Sequence, residues 1–297
     1  YLAVDFFFLL SGFVIGYAYD DRWSKITFKN FFKRRLVRLH PMVVIGMIVG
    51  AVLFYFQSSS TLFPLNAAVP LWKMLLVMLV GFTLLPLPPS MDIRGWQEMY
   101  PLNGPGWSLF FEYIANILYG TVVRRFSKNA LSILVALSAV ALIYYTIFGG
   151  TGDLIGGWSL EPAQLKIGFT RVMFPFFGGL LLSRTARIVK IKNTFLWCSL
   201  LVISVLSLPR FGGEQHLWMN GLYESLAVVF IFPLIVYLGA GGEVMGKIPA
   251  GVCKFFGDIS YPVYITHYPL IYIYTAWVVD NKKTIAVAWP YAALTFI

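Results

Sequence analysis

Charge is what this sequence has least of. Only 12% of its 297 residues are Asp, Glu, Lys or Arg, about half of the ~25% carried by a soluble domain. That shortage argues against a water-soluble domain. Cysteine is almost missing too. Cys198 and Cys253 lie far apart, in or beside apolar segments, so no disulfide framework is expected. There is no metal-ligand spacing, no glycine loop of the phosphate-cradling kind and no Gly-x-Ser-x-Gly elbow, so no bound metal or cofactor is expected. What fills the chain is apolar: 59% of it is hydrophobic, 18% aromatic, and the mean hydropathy is +0.75. The apolar runs are continuous and do not alternate residue by residue, which argues against a β-barrel. The expected fold is an all-α, polytopic transmembrane helical bundle.

Spans are expected at 1–19, 41–56, 70–88, 107–123, 129–148, 167–183, 194–209, 221–240, 259–279 and from 284 onward, about ten in all. Connections are short, and the whole of 1–297 reads as one integral membrane domain. It begins without methionine and stops inside the apolar run "WPYAALTFI", so it reads as truncated at both ends. A net charge of +10 is compatible with nucleic-acid binding, but the basic residues cluster between apolar runs. That is the mark of cytoplasmic loops, and no nucleic-acid partner is expected. Arg22, Lys25, Lys29, Lys33, Arg34, Arg35 and Arg38 put the first connection inside. Arg124, Arg125 and Lys128 do the same for a second, and Arg184, Arg187, Lys190 and Lys192 for a third. The loops 57–69, 149–166 and 210–220 are poor in Lys and Arg and fit outside. Parity then fails across 70–106. Either that proline-rich stretch holds a broken or re-entrant segment, or one span is misplaced.

Three polar constellations interrupt the apolar background. In "FKNFFKRRLVRLHP" (28–41), Phe28, Phe31, Phe32, Leu36 and Leu39 fall at helical spacing opposite Lys29, Lys33 and Arg34. An amphipathic helix attracted to anionic lipid accounts for this pattern. Arg35 and Arg38, three apart, add a pair of guanidinium forks suited to phosphate groups. In "GPGWSLFFEYIAN" (104–116), Ser108, Glu112 and Asn116 share one helix face. A carboxylate at the bilayer centre costs ~2.5–3.5 kcal/mol, so a three-residue polar stripe argues for a cavity. Trp107 beside it has the bland reading of an interfacial anchor. In "DISYPVYITHYPLIYIY" (258–274), Ser260, Tyr264 and His267 follow helical spacing, with Tyr261 and Tyr268 on another row. A core histidine satisfied by its neighbours is the plain reading. Its mid-span position also suits a base or proton shuttle.

These constellations, in this order, resemble the acyltransferase 3 family of integral membrane O-acyltransferases. "VDFFFLLSGFVIG" (4–16) is similar to that family's second helix, and Arg35, Arg38 and Pro41 to its paired arginines followed by proline. Trp107, Ser108, Leu109 and Glu112 match its Trp-Ser-Leu-x-x-Glu motif. Ser260, Tyr261, Tyr264, His267 and Pro269 match its Ser-Tyr-x-x-Tyr-x-x-His-x-Pro segment. The resemblance implies transfer of an acyl group, often acetyl, from acyl-CoA on the cytoplasmic side to a hydroxyl of a carbohydrate or other acceptor, in a bacterial inner membrane. It places Arg35 and Arg38 near the donor's phosphates. It also implies a catalytic-base histidine in a helix before residue 1, so a fragment lacking that helix is expected to be inactive. Within 1–297, Glu112 and His267 are then supporting catalytic residues, and Trp107, Ser108, Asn116, Tyr261 and Tyr264 are the substrate-contacting set. The expected partners are acyl-CoA, a carbohydrate or lipid-linked acceptor, and membrane lipid. The rival reading is a transporter or flippase for a lipid-linked or anionic metabolite, because broken spans and intramembrane charges occur there too.

Overall fold

The computed structural model describes residues 1–242 and 247–296. The expected domain end at Ile297 lies outside the described residues. In hydrocarbon the backbone can satisfy itself only within helices or closed barrels, and the apolar runs accordingly fold as helices. In chain order they are α1 Ala3–Tyr19, α2 Phe28–Leu53, α3 Leu71–Phe82, α4 Gly106–Thr121, α5 Lys128–Phe148 and α6 Pro162–Thr185. They continue with α7 Thr194–Ser207, α8 Leu217–Leu226, α9 Phe232–Ala240, α10 Lys247–Thr266, α11 Tyr268–Asp280 and α12 Ile285–Phe296. Among the described residues there is no strand, only two isolated bridges, Ser59 with Phe63 and Ile191 with Gly242.

Five helical runs among the described residues are long and apolar enough to cross a membrane: Ala3–Arg22, Phe28–Gln57, Lys128–Phe148, Pro162–Thr185 and Leu217–Ala240. The last is one run because a wide turn at Ala227–Ile231 carries α8 into α9. It lies just ahead of Pro233, which has no N–H to return to the carbonyl four residues back. With 12, 16 and 14 residues, α3, α4 and α7 fall short of the ~20 that a spanning helix needs.

Two expected segments are redrawn. The stretch 28–41 is not a separate surface element, because α2 runs unbroken from Phe28 through Pro41 to Leu53. Of its expected apolar face, Phe31 and Leu39 are buried while Phe28 and Leu36 are exposed. The expected span 259–279 is two helices, α10 and α11, with His267 between them. The reason is Pro269, which removes one helical donor and clashes with the preceding turn.

The chain divides into two compact units. One comprises Tyr1–Phe32, Phe111–Gly156 and Lys166–Ala250, and the other Lys33–Phe110, Gly157–Leu165 and Gly251–Ile297. In the first unit α1 crosses α6 at backbone contact. A Cβ on Gly12 would lie 1.8 Å from the Phe176 carbonyl oxygen, and one on Gly179 would lie 2.0 Å from that of Leu9. Gly12 and Gly16 form a small-xxx-small pair, the spacing that lets membrane helices approach closely. Leu9, Phe13, Phe174, Val228 and Phe232 pack into the core around this crossing. On α5, Thr146 shares a 2.5 Å hydrogen bond with Ser225 of α8. In the second unit α2 lies against residues 101–103, where a Cβ on Gly50 would meet the Leu102 carbonyl oxygen at 1.9 Å.

The α1–α6 crossing is testable at a single methyl. Gly179→Ala is expected to lower thermal stability in detergent by the equivalent of ~1–3 kcal/mol, the usual cost of overpacking. Its neighbour Gly178, where a Cβ finds only the Phe174 ring at 3.6 Å, should accept alanine silently. Equal melting temperatures for the two variants would refute the crossing.

Candidate functional site

In the first unit, the α4 row is anchored through α1. Ser11 donates to a carboxylate oxygen of Glu112 at 2.6 Å, and both residues are half-buried. One turn along, Asn116 is fully buried and donates through Nδ2 to the Glu112 backbone carbonyl at 2.7 Å. Its Oδ1 has no hydrogen-bond partner among the described residues. The carboxylate is therefore hydrogen-bonded by a hydroxyl, next to a spare buried acceptor.

What holds α1 in place for that contact is an ion pair. Asp5 of α1 and Arg171 of α6 are both buried. Arg171 grips the carboxylate with two parallel bonds, Nε at 3.1 Å and Nη2 at 2.7 Å. Two further donors of Arg171 reach the Gly156 and Tyr1 carbonyls at 3.1 and 3.0 Å. A second buried acid, Glu224 of α8, accepts from the Tyr1 hydroxyl, from Asn220 Nδ2 at 2.6 Å and from the Leu154 N–H at 2.7 Å. On the segments expected to face the cytoplasm, Arg184 makes a two-point pair with Asp20, at 2.6 and 3.1 Å.

The second unit holds the other expected residues. Ser108 of α4 shares a 2.6 Å contact with the Tyr264 hydroxyl of α10, so the structure brings these two together. Tyr261 donates to the Leu39 carbonyl at 2.6 Å, which tethers α10 to α2 one residue from Arg38. The arginine pair is split by environment: Arg35 is buried and Arg38 is exposed. Trp107 is 9% exposed, so it is buried in the protein and does not fit the bland reading of an interfacial anchor. His267 sits at the break between α10 and α11.

The sequence reading passed over a buried network in the irregular segment 83–105. Arg94, with no exposed surface, donates to the Pro101 carbonyl and to Gln57 Oε1. Its guanidinium lies 3.8 Å from the centre of the Tyr272 ring and 5.0 Å from that of Phe63. Glu98 is 3.7 Å from Arg94 and accepts from the Tyr272 hydroxyl at 2.8 Å. The only advance signal was the four-residue spacing of Arg94 and Glu98. For Asp5 and Arg171, it was an ionisable group inside an apolar run.

Comparison with known proteins finds acyltransferases among the relatives of this chain. The family profile described as an acyltransferase domain, that of acyltransferase 3, matches residues 1–297. Acyltransferase MdmB of Streptomyces mycarofaciens is 30% identical over 91% of this chain and 68% of its own length. A putative O-acetyltransferase of Staphylococcus aureus (strain COL) is 22% identical over the whole chain. Protein 2 in the picA locus of Rhizobium radiobacter is 31% identical over 48% of this chain and 76% of its own. The chain spans 50% of the length of the Staphylococcus protein. No solved structure matches it.

Glu98 lies outside the spanning helices, and its titration follows from its surroundings. Burial pushes its carboxyl up to about 7, against the pull of Arg94 and the Tyr272 hydroxyl. An unfolded glutamate titrates near ~4.3, so the folded state keeps a proton that the unfolded state has already released. The resulting stabilisation is complete below ~pH 4.3 and is lost as pH rises through about 7. Wild-type melting temperature should therefore fall between about pH 5 and about pH 8. Glu98→Gln should flatten that fall, and parallel curves for the two proteins would contradict the assignment.

Proposed function

The chain belongs to the acyltransferase 3 family, and from that premise we propose that it acts as a membrane-bound O-acyltransferase. The donor is an acyl-CoA, acetyl-CoA first among them, and the acceptor is a hydroxyl of a carbohydrate or other cell-envelope molecule. The observation that carries this reading is Glu112, the one charged residue of α4, hydrogen-bonded by Ser11 at 2.6 Å. A carboxylate kept there at an energetic cost, with a hydroxyl donor beside it, is the kind of group a polar reaction in a membrane requires. The five long apolar helices and the family make the protein an integral membrane one. A bacterial inner membrane, with about ten crossings once the shorter helices are counted, completes the proposal.

Arg35 and Arg38 are the donor-side residues in this reading. Exposed Arg38 meets the pyrophosphate of acyl-CoA, while buried Arg35 fixes the local charge behind it. Guanidinium forks match phosphate oxygens two at a time. The acceptor hydroxyl attacks the thioester carbonyl, its proton passes to a base, and donors steady the oxyanion as it forms. Glu112 orients the hydroxyl and balances charge. The break at His267 would also suit a transporter, whose sites lie at discontinuous helices; label transferred covalently to an acceptor, rather than carried across the membrane, separates the two.

Purified, folded Arg35→Ala/Arg38→Ala protein is expected to bind acyl-CoA severalfold or more weakly. Unchanged affinity in a calorimetric titration would remove the donor site. Glu112→Gln should keep the melting temperature and lower the rate of acyl transfer. Wild-type turnover in that variant would reduce Glu112 to a structural group.

A further inference from the structure

Small residues leave a groove on the first unit. Gly239 and Ala240 end α9, and a Cβ on Gly239 would find only Cys198 Sγ of α7, at 3.8 Å. The space left there is a cavity of about 290 Å³, lined by Phe6, Leu10 and Val14 of α1, by Val236 of α9 and by Cys198. Leu10 and Val14 are exposed, so the groove opens at the protein surface. Its walls give water almost nothing to bond.

Positive charge lies at one end of this groove. Residues 184–193 carry Arg184, Arg187, Lys190 and Lys192 and no acid. Three contacts tie this connection to the end of α9. The Tyr237 hydroxyl donates to the Arg187 carbonyl at 3.1 Å, and the Ile191 N–H donates to that of Gly241 at 3.2 Å. A Cβ on Gly241 would lie 2.0 Å from the Val189 carbonyl oxygen. Gly241 directly follows Ala240, which lines the groove. Arg184 is committed to Asp20, while Arg187 and Lys192 are exposed. Trp197, exposed one residue before Cys198, is of the type that membrane proteins place at headgroup level.

We propose that this groove is a binding site for an anionic phospholipid, with one acyl chain along α1 and α9 and the phosphate at Arg187 and Lys192. Basic pockets between membrane helices suit such headgroups, and each methylene buried in the groove adds to the affinity. Charge selects this occupant over the alternatives. A zwitterionic lipid offers the same chain but no net charge to the basic connection. A soluble anion offers the charge but leaves the apolar groove unfilled. The site is independent of acyl transfer, so binding rather than turnover tests it.

Purified protein in mixed micelles is titrated with dioleoylphosphatidylglycerol, dioleoylphosphatidylcholine or glycerol 1-phosphate, and bound ligand is counted by native mass spectrometry. Phosphatidylglycerol is expected to bind about tenfold or more tighter than phosphatidylcholine and to raise the melting temperature. Arg187→Gln/Lys192→Gln should weaken phosphatidylglycerol about tenfold and leave phosphatidylcholine unchanged. Gly239→Leu fills the groove with a residue that favours the helix. It should lose phosphatidylglycerol about tenfold while keeping at least the wild-type melting temperature without lipid. Equal wild-type affinity for the two lipids would mean surrounding lipid only and overturns the site. Wild-type affinity in either folded variant overturns it too. Glycerol 1-phosphate bound as tightly as phosphatidylglycerol would assign the basic connection to a soluble anion and overturn the lipid. If the double variant does not fold, Gly239→Leu decides alone.

Discussion

A carbonyl that loses its helical N–H must find another donor, and inside a membrane protein water is not there to provide one. In the second unit this constraint dictates the placement of three side chains at once. Asn103 serves the Ile265 carbonyl, Gln57 serves that of Pro269, and Arg94 serves that of Pro101 while fixing Gln57. Leaving a buried polar group unpaired costs ~1–3 kcal/mol, so these amides and the guanidinium are what make an interrupted helix and a long irregular segment tolerable together. The aromatic faces of Phe54, Phe63 and Tyr272 around Arg94 screen the charge that the arrangement brings in.

The first unit meets its constraint differently. Its helices are continuous, so the demand falls on alignment. Asp5 and Arg171 satisfy each other in a dry setting, and the pair is geometrically exacting because both bonds must form together. A buried pair of this kind contributes little net stability, whereas removing one partner costs ~3–5 kcal/mol. Its value is in specifying one arrangement. Asp5, Gly12 and Gly16 face α6, and Ser11 lies a quarter-turn away facing Glu112 of α4. The ion pair and the glycine crossing thus fix the rotation of α1, which in turn delivers a hydroxyl to the carboxylate.

Much of this was readable from residue types. The continuous apolar runs located α1, α5 and α7 to within a few residues, and four-residue spacing revealed the Ser108, Glu112 and Asn116 row. The interruption at His267 was missed: periodicity carried one helix over 259–279, although Pro269 was the residue that could have marked the break. The Asp5 and Arg171 pairing was hidden because the partners stand 166 positions apart, and no periodic pattern links them. Segment 83–105 was hidden for another reason. Irregular backbone obeys no repeat, so its burial depends on which carbonyls elsewhere need donors. The split between buried Arg35 and exposed Arg38 had the same origin: spacing puts two side chains on neighbouring faces, while packing decides which one sees water.

The glycine seam between α1 and α6 has a consequence for handling the protein. Where one backbone rests on another, no acyl chain or detergent tail can enter, so lipid removal leaves this junction untouched. Helix faces lined by large exposed side chains, such as Ile133, Leu137 and Val140 on α5, are instead solvated by whatever amphiphile surrounds them. Extraction conditions will therefore act first on those outer faces, and the part of the molecule that presents Ser11 to Glu112 should be among the last to loosen.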